Sequence, residues 1–150
     1  MRFLTLATIV AVLMALVTPT TASVLSDARH LYRHVENNER IANQLLKLTN
    51  KQKDPLLRAY NGVAKAILAS FKWNPYTKLK MVKEGLALMN DAAKKDSTDI
   101  EIRLLRYSTE VNLPGIVPVD KHLDEDKSFM KKHYDPQHPM ADVIDHFLNL

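Results

Sequence analysis

The chain reads as an all-α protein: a right-handed stack of about three antiparallel helix pairs, tetratricopeptide-like, with a short C-terminal capping helix. Three observations predict this. Apolar residues recur at steps of three and four from Val24 onward, the spacing of one helix face. Twice a proline follows a capping residue, at Asp54-Pro55 and Asn74-Pro75, where its missing N–H costs nothing. The composition is 46% hydrophobic and 25% charged with only 3 glycines, which suits a helical globule and argues against disorder.

Residues 1–23 have the make-up of a secretory signal. Arg2 supplies the positive start, Phe3 to Val17 is almost wholly apolar, and small residues surround a cleavage point after Ala22 or Ser23. The apolar run falls short of the roughly 20 residues a spanning helix needs. Export to the periplasm or beyond is the expectation. The lack of charge between Phe3 and Ser26 keeps a membrane-tethered, uncleaved form as an alternative. Residues 24–150 then make a single helical-repeat-like domain. It has no cysteine, so no disulfide framework supports it. The formal charge of +4 includes Arg2, and the signs are mixed along the chain. That is a solvated surface rather than a nucleic-acid footprint.

In order, the first helix carries Leu25, Ala28, Leu31, Tyr32 and Val35. Glu36-Asn37-Asn38 interrupts the stripe, and a break is favoured over one helix bent near Asn37; Asn37 or Asn38 then caps a second helix with Ile41, Ala42, Leu45, Leu46 and a possible Leu48 inward. Asp54-Pro55 opens the third, with stripe Leu56, Leu57, Tyr60, Val63, Ala64, Ile67, Leu68 and Phe71. Gly62 lies inside it at a cost of about 1 kcal/mol, which close approach of a neighbouring backbone can offset. Asn74-Pro75 opens the fourth, with Leu79, Val82, Leu86, Met89 and Ala93 on one side. Gly85 mirrors Gly62, and Lys94-Lys95 suit the negative end of the dipole. Thr98 and Glu101 have capping-box spacing for the fifth helix. Its two apolar rows, Ile102/Leu105 and Ile100/Leu104/Tyr107, predict that it is sandwiched between neighbours. Asn112-Leu113-Pro114-Gly115 stops it. Ile116 to Val119 is extended and apolar, expected against the helices. Asp120 is the expected cap of a helix through Lys132 with Leu123, Phe129 and Met130 inward. After a loop at 133–139, Met140 to Leu150 forms a terminal helix sealed by Val143, Ile144, Phe147 and Leu148. The three pairs span 24–49, 54–94 and 98–132.

Several of these letters resemble a group of small exported proteins of Bacteroidota. They are N-P-x-x-K-L from Asn74 to Leu79 with Gly85, I-E-I-R-x-L-R from Ile100 to Arg106, Asn112-x-Pro114, and D-K-x-F from Asp126 to Phe129. The resemblance covers about half the chain. It implies a tetratricopeptide-like helical fold and carries no activity.

Candidate sites are few. His30 and His34 share a helix face at a metal-ligating spacing, but Leu-Tyr-Arg between them lacks the acid of a metalloprotease, and exposed histidines beside Arg29 and Arg33 are the plainer reading. His122, His133, His138 and His146 with Asp120, Asp124, Asp126 and Asp135 enrich the last quarter in possible ligands. A polar surface accounts for them, so no metal is assigned. Arg103 and Arg106 lie on a helix that must be largely buried, which demands partners. Two accounts stand: an internal network with carboxylates such as Glu84 or Asp126, or an anion-binding groove using the arginine fork. Tyr60, Trp73 and Tyr76 are a possible aromatic lip at the turn between helices, against the more frequent reading of such residues as core or staple contacts. Lys78, Lys80, Lys83, Lys94 and Lys95 are a basic face. No glycine-flanked serine, cysteine or phosphate-cradling loop occurs, which points away from an enzyme and from a cofactor. The expected role is a binding or scaffold module that holds a protein or peptide on the concave face of the stack. The competing expectation is a small-ligand protein or enzyme centred on the Arg103/Arg106 helix.

Overall fold

The computed structural model describes residues 20–149, which form seven helices and no strand. The helices are α1 (Thr21–Arg33), α2 (Glu39–Thr49), α3 (Pro55–Ser70), α4 (Pro75–Lys95), α5 (Ile100–Val111), α6 (Leu123–Lys132) and α7 (Ala141–Leu148). The apolar core of the expected leader, 1–19, lies outside the described residues. The cleavage point expected after Ala22 or Ser23 falls in the first turn of α1, which Thr20 caps by accepting from the Ser23 N–H.

Most starts obey the predicted chemistry. Asn38 caps α2, with Asn37 at φ 51° making the break from α1. Asp54 and Asn74 cap α3 and α4, each followed by proline. Two caps differ from expectation. Asp99, not Thr98, caps α5: it stands next to the first helical residue and reaches the Glu101 and Ile102 N–H groups at 2.7 and 3.1 Å. Glu101 is thereby released from a capping box and turns inward. Asp120 does not cap α6. The chain stays irregular to His122, whose N–H donates to the Glu110 carboxylate at 2.5 Å, so a side chain of α5 fixes where α6 begins. In the preceding segment Val117 and Val119 pack on the core as expected, whereas Ile116 is exposed. Phe71, the last residue of the α3 stripe, is also exposed.

Each helix packs on the next, and α3 on α4 most extensively; α3 also touches α1 and α5. The closeness of α3 and α4 has a local cause. A Cβ at Gly62 would stand 2.5 Å from the Gly85 carbonyl oxygen, and one at Gly85 would stand 2.5 Å from that of Gly62. Two interior glycines, one per helix, remove the side chains that would hold the backbones apart. Around the crossing, Tyr60, Val63, Leu86, Met89, Ile102 and Leu105 belong to a core built from α1 to α5. The other row of α5, Ile100, Leu104 and Tyr107, feeds a second core with Met130, Met140, Ile144 and Leu148. The sandwiched position read from the two apolar rows is therefore present.

Gly62→Ala should lower stability in urea denaturation by about 1–3 kcal/mol, because forced repacking of two backbones outweighs the gain in helix propensity of about 1 kcal/mol. A stabilised variant would show that the helices part without cost.

Candidate functional site

The concentration of buried polar chemistry is α5, where Glu101, Arg103, Arg106, Ser108 and Glu110 are all buried. The helix has neighbours on both apolar rows, so the charged residues between them are largely withdrawn from water. Each must find a partner.

Glu101 faces α1 and α3. Arg29 grips it with Nε at 3.0 Å and Nη2 at 2.6 Å, and the Tyr60 hydroxyl donates at 2.5 Å. The hydrogen bond to Glu101 raises the Arg29 pKa above its ordinary value. Burial, with the Glu101 charge adding to it, pushes the Tyr60 phenol strongly upward, so it remains a neutral donor. One turn further along α1, Tyr32 donates to Ser108 at 2.8 Å. The next residue, Arg33, holds the Pro139 carbonyl at 2.6 Å and Asp142 at 2.9 Å.

On the other side, Arg106 closes a two-pronged pair with Asp126, Nε at 2.7 Å and Nη2 at 2.6 Å, and gives Nη1 to Asn90 at 3.0 Å. Burial alone would lower its pKa, but the Asp126 carboxylate outweighs that and the group is held charged. Arg103 donates from Nη1 to Glu125 at 2.5 Å and to Asp126 at 3.0 Å, with its guanidinium 5.0 Å from the centre of the Phe129 ring. Glu110 receives the His122 N–H and lies 2.9 Å from His122 Nδ1.

Of the two accounts of Arg103 and Arg106, this geometry is the internal network. Asp126 is the partner, as anticipated, while Glu84 serves Lys65 and Lys80 on the outside instead. The forks are turned toward carboxylates of the same chain. Glu101, held by Arg29 and Tyr60, has its lone pairs committed and is poorly placed to act as a base.

The aromatic lip does not assemble. Tyr60 is wholly buried against Glu101, while Trp73 and Tyr76 stand out at the α3–α4 turn. Tyr60 falls on the inward stripe of α3 more than two turns before that helix ends, which separates it from the turn. His30 and His34 lie against each other, ring centres 4.6 Å apart. The later histidines disperse: His122 to Glu110, His133 stacked on Phe129, His138 toward the Met140 N–H, His146 against Phe147. Among the described residues no group of three or more His, Cys, Asp or Glu is placed to hold a metal. Sequence reasoning missed Arg29, Tyr32, Arg33 and Glu101 as members of the network. The signal was present, since Glu101, Leu105 and Ser108 fall on one row of α5.

Open surface lies along α4. One depression of about 510 Å³ is bordered by Lys83, Ala87, Asn90, Val119 and Asp120. Another, of about 850 Å³, runs between the α2–α3 loop and α4. No described helix is long and apolar enough to cross a membrane. The chain matches no family model, no curated protein and no solved structure.

Replacing Asp126 by Asn leaves the buried Arg106 guanidinium facing a neutral amide and Arg103 with Glu125 alone. Unfolding free energy in urea should fall by about 3–5 kcal/mol. Asp126→Leu combined with Arg106→Met should lose clearly less than Asp126→Asn alone; an equal loss would argue against the pairing. Glu125 supplies a pH test. Its hydrogen bond from Arg103 lowers its pKa, so the folded chain binds fewer protons than the unfolded one in that window. The stabilisation is present above the unfolded value, about 4.3, and disappears as pH falls through the lowered folded value. Glu125→Gln should flatten that acid limb of stability against pH, measured by thermal melts.

Proposed function

We propose that the chain is a non-catalytic, exported helical binding or scaffold module that holds a protein or peptide segment. On this reading α1/α2, α3/α4 and α5/α6 are three stacked pairs of a tetratricopeptide-like array and α7 is its cap. The observation that carries it is the state of α5. Its two arginines and two glutamates each meet a partner group of the same chain, Arg103 Nε being without an acceptor, so most of the charge free to meet a ligand lies elsewhere. The packing order supports the stack: successive helices touch, and so do α1 with α3 and α3 with α5. Export rests on the composition of residues 1–23, and the link from fold to binding is an analogy of architecture.

The face with room is not the side where α1, α3 and α5 meet, which Arg29, Tyr60 and Glu101 bridge. It is the depression of about 850 Å³ beside α4, bordered by Lys51, Lys53, Arg58, Lys65 and Lys95. Arg58 and Lys95 share Asp91, and Lys65 takes Glu84. Lys51 and Lys53 have no ion-pair partner among the described residues, which biases the groove toward an acidic segment.

A photo-crosslinking residue at the exposed Ala87, in the native cell, should give a discrete protein adduct. Lys51→Glu with Lys53→Glu should weaken its yield by about tenfold. No adduct, or one indifferent to the charge reversal, ends the reading.

A further inference from the structure

The α3–α4 turn combines features that the helical scaffold does not use. Trp73 is 96% exposed and Tyr76 84% exposed, with Phe71 also uncovered beside them. Asn74 accepts from the Tyr76 and Thr77 N–H groups at 2.8 and 3.2 Å, and Pro75 fixes the first helical residue, so the aromatic pair is presented by a rigid turn. From Phe71 to Lys83 the sequence holds four lysines and no acidic residue. Glu39 stands 3.8 Å from Lys72, and Glu84 divides its charge between Lys65 and Lys80. Lys78 and Lys83 have no ion-pair partner among the described residues.

We infer that this turn is a docking point for a lipid bilayer surface bearing anionic headgroups. Tryptophan and tyrosine have an apolar body and a polar tip, which suits the boundary between headgroups and acyl chains. Lysines around them attract a surface that is negative over its whole area and need no matched pocket. The shape points the same way. With both aromatic side chains almost wholly in solvent the turn is a knob, and a knob suits a broad yielding surface better than an extended peptide. This site is separate from the groove proposed above and does not depend on it.

Trp73 is the only tryptophan in the chain, so its emission reports this turn and not any apolar segment elsewhere. The full chain is titrated with vesicles of phosphatidylcholine alone and of phosphatidylcholine with equimolar phosphatidylglycerol, each with and without bromine-labelled acyl chains. The expected result is a blue shift and bromine quenching with the anionic vesicles only, abolished by high salt. Lys78→Ala with Lys83→Ala should weaken the response about fivefold for each lysine removed. Both side chains are exposed, and circular dichroism checks that the variant folds. Unshifted, unquenched emission overturns the inference, and so does an equal response to neutral vesicles. A blue shift that grows with protein concentration in the absence of lipid also overturns it, and assigns the turn to contact between copies of the chain.

Discussion

The pairing of Asp126 with Arg103 and Arg106 is the constraint on which the rest depends. A helix apolar on two rows can be inserted between two cores only if the charges between those rows are neutralised in place. Asp126 and Glu125 do this from α6 for the two arginines, and Glu101 does the reverse, accepting from Arg29 of α1 and Tyr60 of α3. The two arrangements fix the neighbours of α5 on opposite sides. Hydrophobic burial alone is indifferent to small rotations of a helix. Two-pronged guanidinium pairs are not, so the ion pairs set the rotation of α5 while the apolar rows supply the driving force.

The glycine crossing of α3 and α4 does a comparable job without charge. It fixes the point at which the two longest helices touch, and so how far each extends beyond it. The residues past that point reach the α3–α4 turn, where Trp73 and Tyr76 are carried into solvent. The same closeness that tightens the core therefore determines where the aromatic turn projects.

Much of this was legible in the letters. Asp54-Pro55, Asn74-Pro75 and the Asn37-Asn38 break are local signals, and local chemistry decides helix starts unless something tertiary intervenes. Something does so at two places. Glu101 is drawn inward by Arg29, which is 72 residues away in sequence, and Asp99 takes over the cap. The start of α6 is set by Glu110, reaching across from the preceding helix. The requirement that Arg103 and Arg106 be paired was readable from burial, and so was Asp126 as a partner. Which of several carboxylates each arginine would meet was not, because that depends on how α6 folds back. The aromatic lip does not form because Tyr60 lies on the stripe that points to the core, where the plainer reading of a core contact holds.

The clasp between Arg33 and the Pro139–Asp142 segment has a consequence for the order of assembly. Its partners are separated by 106 and 109 residues. A ribosome releases the N-terminal helix first. α1 then emerges with Arg29 and Arg33 unsatisfied, and neither meets its carboxylate until most of the chain has followed. Among the described helices, the first made is among the last to be locked. The contact between α1 and the segment leading into α7 therefore forms late.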